Sequence, residues 1–219
     1  MHIANEPFKP RPELVRLVES CLERISPDGT ELNEWFRSYA MGHKTRIAFD
    51  IDIVRENLPQ NTRVLEFGSV PLLFTAALAE CGYQVVGIDI TPERFQSSIE
   101  KLGLTVLRCD IELEKLPIQD NTYDAIVFNE LFEHLRINPI FTMSEAFRVV
   151  KPNGLLFLSS PNLRSLGGSL TFYFAIAHIP VAEIYMLNTK SWRNWDTWVM
   201  SESIRLLRLQ HFLRESALW

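Results

Sequence analysis

Residues 63–69 read RVLEFGS, and this stretch decides the fold. The mostly apolar run at 63–67 predicts a short buried strand that ends at Gly68. Glycine lacks a Cβ, so the chain can turn tightly there and approach a ligand closely. An ordinary strand-to-helix turn has the same composition, so this stretch alone leaves a structural and a ligand-binding interpretation open.

Working outward from this stretch, short apolar runs alternate with helical patterns. Further strands are predicted at residues 84–88, 105–107, 123–128 and 155–159, and helices at 74–81, 92–102 and 140–150. Upstream, apolar spacing predicts a helix at 12–25 and one or two more within 31–57. Strands separated by helices predict an α/β fold with a parallel sheet and right-handed crossovers. We divide the chain into a helical cap (1–60), a core (61–165) and a divergent tail (166–219).

Composition narrows the functional classes. The 219 residues are 47% hydrophobic, so we expect a sizeable core. Their net charge of −5 gives no sign of a basic surface for binding nucleic acid. Three irregularly spaced cysteines predict neither a disulfide framework nor a metal site, which favours a reducing cytoplasm. Residues 1–11 lack an apolar signal segment, and glycine, proline and glutamate interrupt the apolar stretch 166–187, so we expect no membrane insertion.

Acidic residues follow two further predicted strands, and parallel sheets bind ligands beyond the carboxyl ends of their strands. Asp89 lies 23 residues after Glu66, a spacing typical of a carboxylate that accepts both ribose hydroxyls. Capping of the next helix is the alternative, and Thr91 could take that role instead. Asp110 could accept the amino group of an adenine while Ile111 packs on the ring, although an isolated loop aspartate is more often simply solvated.

The turn after the fourth strand begins with Asn129, Glu130 and Leu131 and continues to His134. Imidazole titrates near neutrality, so His134 is a candidate general base. A histidine that lines the pocket or orients the loop has the same sequence context, and we favour that interpretation.

Five segments, in order, resemble the class I S-adenosylmethionine-dependent methyltransferases, close to the small-molecule branch that includes quinone-biosynthesis enzymes. They are VLEFG (64–68), VGID (86–89), LPIQDNTYDAIV (116–127), FEHL (132–135) and RVVKPNGLL (148–156). The glycines that the family often has after the first motif are replaced here by Val70 and Leu72. A dinucleotide-binding dehydrogenase fits less well, because it requires the full three-glycine turn.

The resemblance implies a Rossmann-like fold, S-adenosylmethionine as cofactor, and methyl transfer to a small-molecule acceptor, with no metal and no nucleic-acid partner. The asparagine-proline-proline turn typical of nucleic-acid methyltransferases is absent after strand four. His43 and Arg46, on the upstream helix, are candidates for neutralising the cofactor carboxylate, with an ordinary surface charge as the alternative. The other cofactor-binding candidates are Glu66, Phe67, Gly68, Ser69, Asp89, Ile90, Asp110, Ile111, Asn129, Glu130 and Leu131.

The tail departs from the family after about residue 168. Back-translation of residues 195–205 with permitted codons, read from the third base, encodes GHMGHVREYT, which is the corresponding family segment. We therefore expect a frameshift near Gly168 and the loss of the last strand pair; a divergent, aromatic-rich tail is the alternative. Two other functions stay open: a cofactor-binding protein with impaired catalysis, and another nucleotide-binding Rossmann enzyme. The sequence does not name the acceptor or the oligomeric state.

Overall fold

The computed structural model describes residues 9–161 and 182–188. Two helices precede the sheet, α1 (Pro12–Arg24) and α2 (Asn33–Asn57), joined through a 3₁₀ turn at Thr30–Leu32. Proline at the first position of α1 has no backbone N–H to leave unpaired, which suits a helix start. Both helices lie where apolar spacing predicts them.

Six strands form one sheet in the order β3-β2-β1-β4-β5-β6. The first five are parallel, and they are β1 (Arg63–Phe67), β2 (Gln84–Asp89), β3 (Thr105–Arg108), β4 (Tyr123–Asn129) and β5 (Val150–Pro161). Strand order reverses between β1 and β4, and such a switch point is where open α/β sheets bind ligands. The predicted parallel sheet and Rossmann-like architecture are confirmed.

The connecting helices are α3 (Leu73–Glu80), α4 (Gln96–Leu102) and α5 (Pro139–Val149). The single helix predicted over 92–102 is instead a 3₁₀ turn, Pro92–Phe95, followed by α4. The break falls at Phe95, whose φ of −134° is not helical. Its ring is fully buried and lies edge-on to Phe36 of α2, with centroids 5.5 Å apart. Burial against the helical cap therefore accompanies the interruption of the helix.

The core has two layers, one on each face of the sheet. One buries side chains of α1, α2 and α3 against the sheet, and the other packs α5 against its opposite face. A loop between α1 and α2 also joins the cap to α4: Asp28 accepts a 3.0 Å hydrogen bond from the backbone N–H of Ser97. None of the helices in the described ranges combines the length and apolar character needed to cross a membrane.

One strand follows β5. Strand β6 (Ala182–Asn188) pairs antiparallel with it, from Leu155 opposite Asn188 to Pro161 opposite Ala182. We expected both of the last two strands to be missing, and for β6 this expectation is wrong. The edge of β5 carries unpaired backbone N–H and C=O groups. A segment that follows can pair with these groups even if its sequence does not resemble the family. The frameshift hypothesis otherwise concerns residues 162–181 and 189–219, which lie outside the described residues.

Candidate functional site

A cleft of about 160 Å³ lies at the carboxyl ends of β1 to β4. Complete ligand pockets usually begin at about 300 Å³, so this cleft suits one part of a cofactor-sized molecule. Seven residues predicted from the sequence line it: Gly68, Asp89, Ile90, Asp110, Ile111, Leu131 and His134. The sequence analysis missed Ile88, Cys109, Glu112 and Leu135, which complete the wall.

The turn after β1 requires glycine. Gly68 has a φ of 71°, and its N–H donates a 2.8 Å hydrogen bond to the carbonyl of Ile88. A Cβ at this position would lie 2.9 Å from Cδ1 of Leu131, on the cleft wall. The missing side chain therefore lets the β1 turn lie directly against the loop that follows β4.

Leu72 keeps a glycine-like backbone at one of the two positions where the family often has glycine. Its φ is 72° and its side chain is fully buried. The carbonyl of Leu72 accepts a 2.8 Å hydrogen bond from Ala76 at the start of α3. The turn thus retains a left-handed residue, with leucine supplying core packing that glycine could not.

Asp89 joins the ends of β1 and β2. One carboxylate oxygen accepts a 3.0 Å hydrogen bond from the N–H of Val70, and the other accepts one of 2.9 Å from the N–H of Thr91. Thr91 occupies the N-cap position of the following 3₁₀ turn, but its hydroxyl makes no capping bond. The proposed capping role for that hydroxyl is wrong. A carboxylate has about four acceptor positions, so Asp89 can still accept from a ligand.

The far end of the cleft combines acidic and apolar groups. Asp110 accepts a 3.0 Å hydrogen bond from the N–H of Glu112, which shapes the loop after β3. Ile90 is 54% exposed, an unusual state for a large apolar side chain beside a cleft. Burial raises the pKa of the Cys109 thiol to about 11, so this thiol is neutral at pH 7. These walls suit a flat, largely apolar ring with polar edges.

A second group of polar residues lies where α2 crosses the ends of β4 and β5. We call Arg46, Asp50, Asn129, Glu130 and Ser159 the α2 polar cluster. Nη1 of Arg46 donates to Oδ2 of Asp50 at 3.0 Å and to Oδ1 of Asn129 at 2.7 Å. The Ser159 hydroxyl donates to the same Asn129 oxygen at 2.9 Å and accepts from the N–H of Glu130 at 3.1 Å. Three elements therefore meet in one hydrogen-bonded network.

Three atoms of this cluster are buried without a hydrogen-bond partner among the described residues: Nε of Arg46, Oδ1 of Asp50 and Oε1 of Glu130. Leaving such groups unpaired costs about 1–3 kcal/mol each, more when they are charged. One is a donor and two are acceptors. Glu130 also has a φ of 53°, and strained backbone of this kind is concentrated at functional sites.

Burial dominates the electrostatics of the cluster. It raises the pKa of Asp50 to about 7, an effect that Arg46 opposes and Glu130 reinforces. It also raises the pKa of Glu66 to about 8, against a hydrogen bond from the Thr75 hydroxyl and with added repulsion from Asp89 and Asp50. The pKa of Glu130 is raised for the same main reason. Asp50 and Glu130 both interact electrostatically with the Arg46 guanidinium, which favours their charged forms, while burial favours their neutral forms.

Four further predicted residues belong to neither the cleft lining nor the α2 polar cluster. Glu66 is buried against Thr75, and Phe67 is buried in the core, where its ring stacks on Phe128 with centroids 4.5 Å apart. Ser69 is also buried, and its N–H donates to the carbonyl of Ile88 at 3.0 Å. The His43 ring lies 4.4 Å from that of Tyr39, which in turn stacks on Trp35.

Sequence reasoning missed Asp50 and Ser159. Asp50 follows Arg46 by four residues, a spacing that is common in surface helices and carries no functional signal. A serine at a strand end is equally common. The two residues become recognisable as site residues only because Asn129, from a third element, lies between Arg46 and Ser159.

The comparisons with known proteins agree with this geometry. Residues 65–158, from β1 to β5, match the family described as a methyltransferase domain. The match covers less than half of the chain, and for this similarity we call residues 65–158 the methyltransferase domain. All five sequence motifs fall within it or at its edges.

Two curated relatives show where the methyltransferase domain resembles other proteins. A probable S-adenosylmethionine-dependent methyltransferase of Mycolicibacterium smegmatis is 28% identical over 146 residues, covering 64% of this chain and 50% of the relative. A ubiquinone biosynthesis O-methyltransferase of Xanthomonas campestris is 30% identical over 120 residues, covering 53% of this chain and 49% of the relative. The chain thus spans about half the length of these relatives.

The fold of the methyltransferase domain is also that of solved structures. A S-adenosylmethionine-dependent methyltransferase of Thermotoga maritima, described as a possible histamine N-methyltransferase, superposes with a TM-score of 0.53. It is 21% identical, and the superposition covers 65% of each chain. At this identity the likeness establishes the fold, which is the class I methyltransferase fold.

Proposed function

We propose that the chain transfers a methyl group from S-adenosylmethionine to a small-molecule acceptor. The proposal rests on two groups of residues at the switch point of the sheet, the cleft and the α2 polar cluster. The cleft offers carboxylates and apolar walls, and the α2 polar cluster offers a buried unpaired donor on Arg46 and a buried unpaired acceptor on Glu130. A nucleoside joined to a zwitterionic amino-acid headgroup has the complementary chemistry.

The cleft would hold the adenosine portion. Asp89 would accept the ribose hydroxyls with the acceptor positions left over from Val70 and Thr91. Asp110 would accept the adenine amino group, with Ile90, Ile111 and Leu131 against the ring. Gly68 would let the backbone approach the ligand between these walls.

The α2 polar cluster would hold the amino-acid headgroup. Arg46 would donate from its unpaired Nε to the carboxylate, and Glu130 would accept from the ammonium with its unpaired Oε1. Charge-assisted hydrogen bonds of this kind are roughly twice as strong as neutral ones. His43 lies one helical turn before Arg46 and stays a candidate for the same carboxylate, whereas Asn129 would act by holding Arg46.

When bound, the cofactor supplies a methyl group activated by a sulfonium. The chain's own residues bind and orient it, and positioning can account for about 7–11 kcal/mol of a reaction barrier. His134 lines the cleft and is exposed, so its imidazole is accessible to a proton from an acceptor. We retain His134 as a pocket-lining residue and as the candidate general base.

A small-molecule acceptor is supported by the likeness to ubiquinone biosynthesis O-methyltransferases and by the net charge of −5, which disfavours nucleic acid. We further propose a cytoplasmic location. Cys21, Cys81 and Cys109 are all free thiols, which fits a reducing compartment.

Calorimetric titration with S-adenosylhomocysteine tests the proposal, with NAD⁺ as the competing ligand class. We expect micromolar binding of S-adenosylhomocysteine by the wild type, its loss in Asp89→Ala, and none of NAD⁺. Asp120→Ala is the matched control, because Asp120 pairs with Arg148 at an exposed position outside the cleft. Preferred binding of NAD⁺ would favour another Rossmann enzyme. Binding of S-adenosylhomocysteine without methylation of any acceptor would favour the impaired, cofactor-binding protein.

A further inference from the structure

Two oxygen atoms on different elements hold the same nitrogen of Arg46. Its Nη1 carries two hydrogens, and these are directed to Asp50 on the same helix and to Asn129 at the end of β4. The Asn129 oxygen is itself saturated, because Ser159 donates to it as well. The guanidinium therefore has a defined orientation, and its Nε remains unpaired among the residues described.

Asp50 has no room for a headgroup of its own. It is 5% exposed, and the void that it lines with Asn129 and Ser159 measures about 10 Å³. A single water needs about 10–15 Å³ of such space, so an ammonium or carboxylate group does not fit there. Asp50 therefore makes no direct contact with a ligand, and its hydrogen bond can affect a ligand only through Arg46.

The charge of Asp50 acts in two opposing ways on a zwitterion. Its removal would strengthen the attraction of Arg46 for a carboxylate and weaken the attraction of the site for an ammonium. Because an amino-acid headgroup carries one charge of each sign, these changes largely offset each other. What remains is the orientation of the guanidinium, which loses one of its two Nη1 partners.

We propose that Asp50 is the positioning residue for Arg46, and that this pair makes the site selective for nucleosides that carry an α-amino-acid headgroup. The inference rests on the proposed function and extends it to a residue outside the predicted site. Asp50 holds Nη1, and the Nε edge of Arg46 then meets the headgroup carboxylate.

A four-way comparison by calorimetry tests this: wild type and Asp50→Ala, each with S-adenosylhomocysteine and with 5′-methylthioadenosine, which lacks the headgroup. Because alanine cannot accept the hydrogen bond from Arg46, we expect Asp50→Ala to weaken the binding of S-adenosylhomocysteine about tenfold, the scale of one hydrogen bond to a charged group. Binding of 5′-methylthioadenosine should not change. Equal weakening of both ligands, or of neither, would overturn the proposal.

Two further variants exclude a general effect on folding. Asp52→Ala removes another buried carboxylate of α2, which pairs with Arg11 instead, so it should lower the melting temperature without changing the preference between the ligands. In an Arg46→Gln background, Asp50→Ala should have no further effect on the binding of S-adenosylhomocysteine, since Asp50 acts through Arg46. An additional loss there would contradict the positioning role.

Failure of the inference differs from failure of the proposed function. A folded wild type that binds neither ligand would contradict the cofactor site itself. A wild type that binds both ligands equally would leave the nucleoside cleft intact and overturn only the selectivity assigned to Arg46 and Asp50.

Discussion

Arg46 on α2 donates a 2.7 Å hydrogen bond to Asn129 at the end of β4, across 83 residues of chain. The family match begins only at residue 65, so Arg46 lies outside the matched domain while Asn129 lies inside it. The helical cap thus contributes a charged group to the network at the strand ends. A fragment lacking α2 would lose one side of the proposed headgroup site.

Ser159→Ala should weaken cofactor binding, although Ser159 itself has no proposed contact with the ligand. Its hydroxyl donates to Asn129 and accepts from Glu130, so the change removes two hydrogen bonds that orient proposed ligand-binding groups. We expect a loss of about 1 kcal/mol in the free energy of unfolding and a several-fold weaker affinity for S-adenosylhomocysteine. Ser160→Ala, one residue later and facing the opposite side of β5, is the control and should change neither. An unchanged affinity in Ser159→Ala would contradict the role of the network.

Gly68→Ala should impair both stability and binding. The left-handed φ of 71° costs a non-glycine residue about 1–2 kcal/mol, and the new Cβ would press on Leu131. Gly103→Ala is a matched control, because Gly103 has a φ of 63° and nothing within 4 Å of an added Cβ. Denaturant unfolding should show similar losses for the two variants, but calorimetry should show weaker S-adenosylhomocysteine binding only for Gly68→Ala. Equal affinities would mean that Leu131 does not shape the ligand site.

Stability should fall as the pH rises from about 5 to 8, because of Glu66. Burial raises its pKa to about 8 in the folded chain, against about 4.3 when unfolded. Between these values the folded state binds more protons than the unfolded state, so the free energy of unfolding decreases with pH. In Glu66→Gln the Thr75 hydroxyl can still donate to the amide oxygen, and this contribution to the slope disappears.

Urea denaturation at pH 5, 6, 7 and 8 measures this effect. The free energies of Glu66→Gln and the wild type should lie closest at pH 5, with the variant gaining on the wild type as the pH rises. Asp50, with a pKa of about 7, adds to the slope in both proteins and so leaves the comparison unaffected. A difference between the two proteins that stays constant over the range would contradict the raised pKa of Glu66.

Nucleotide sequencing tests our proposal that the reading frame changes near Gly168. We expect the codons for residues 195–205 to read as GHMGHVREYT from the third base. Third positions of the observed codons are partly free, but Trp and Met have one codon each, and the observed residues largely fix the second and third positions of each shifted codon. One codon in this range that is incompatible with the shifted reading would contradict the hypothesis. It would instead support a divergent tail encoded in frame.

Sequence patterns predicted the positions of the five parallel strands to within a few residues at their ends. These runs are short, apolar and separated by helical segments, which are local properties. The largest discrepancy is β5, which begins at Val150 rather than residue 155, since Val150 pairs with Tyr123 before the register shifts. The start of β5 thus depends on its neighbour β4, and no local pattern records it.

The candidate site, too, was predictable from the sequence only in part. Gly68, Asp89 and Asp110 follow three strands, and parallel strands bring such residues to one edge, so their convergence was predictable. Asp50 was not, because its role depends on Asn129 lying next to Arg46. Phe67, included among the candidates for its place in the first motif, has its side chain in the core against Phe128.

The sequence by itself therefore determined the class of fold and the acidic strand ends that line the cleft, because periodicity and turn chemistry act over a few residues. The kind of cofactor was predicted from the resemblance of the five motifs to a known family. Only the tertiary structure decided which side chains share a network. When β4 is laid beside β1, Asn129 comes under α2 and Arg46 is oriented between it and Asp50, while Nε of Arg46 and Oε1 of Glu130 stay without a partner among the described residues. Those relationships join residues far apart in the chain, and only the packing of helix on sheet creates them.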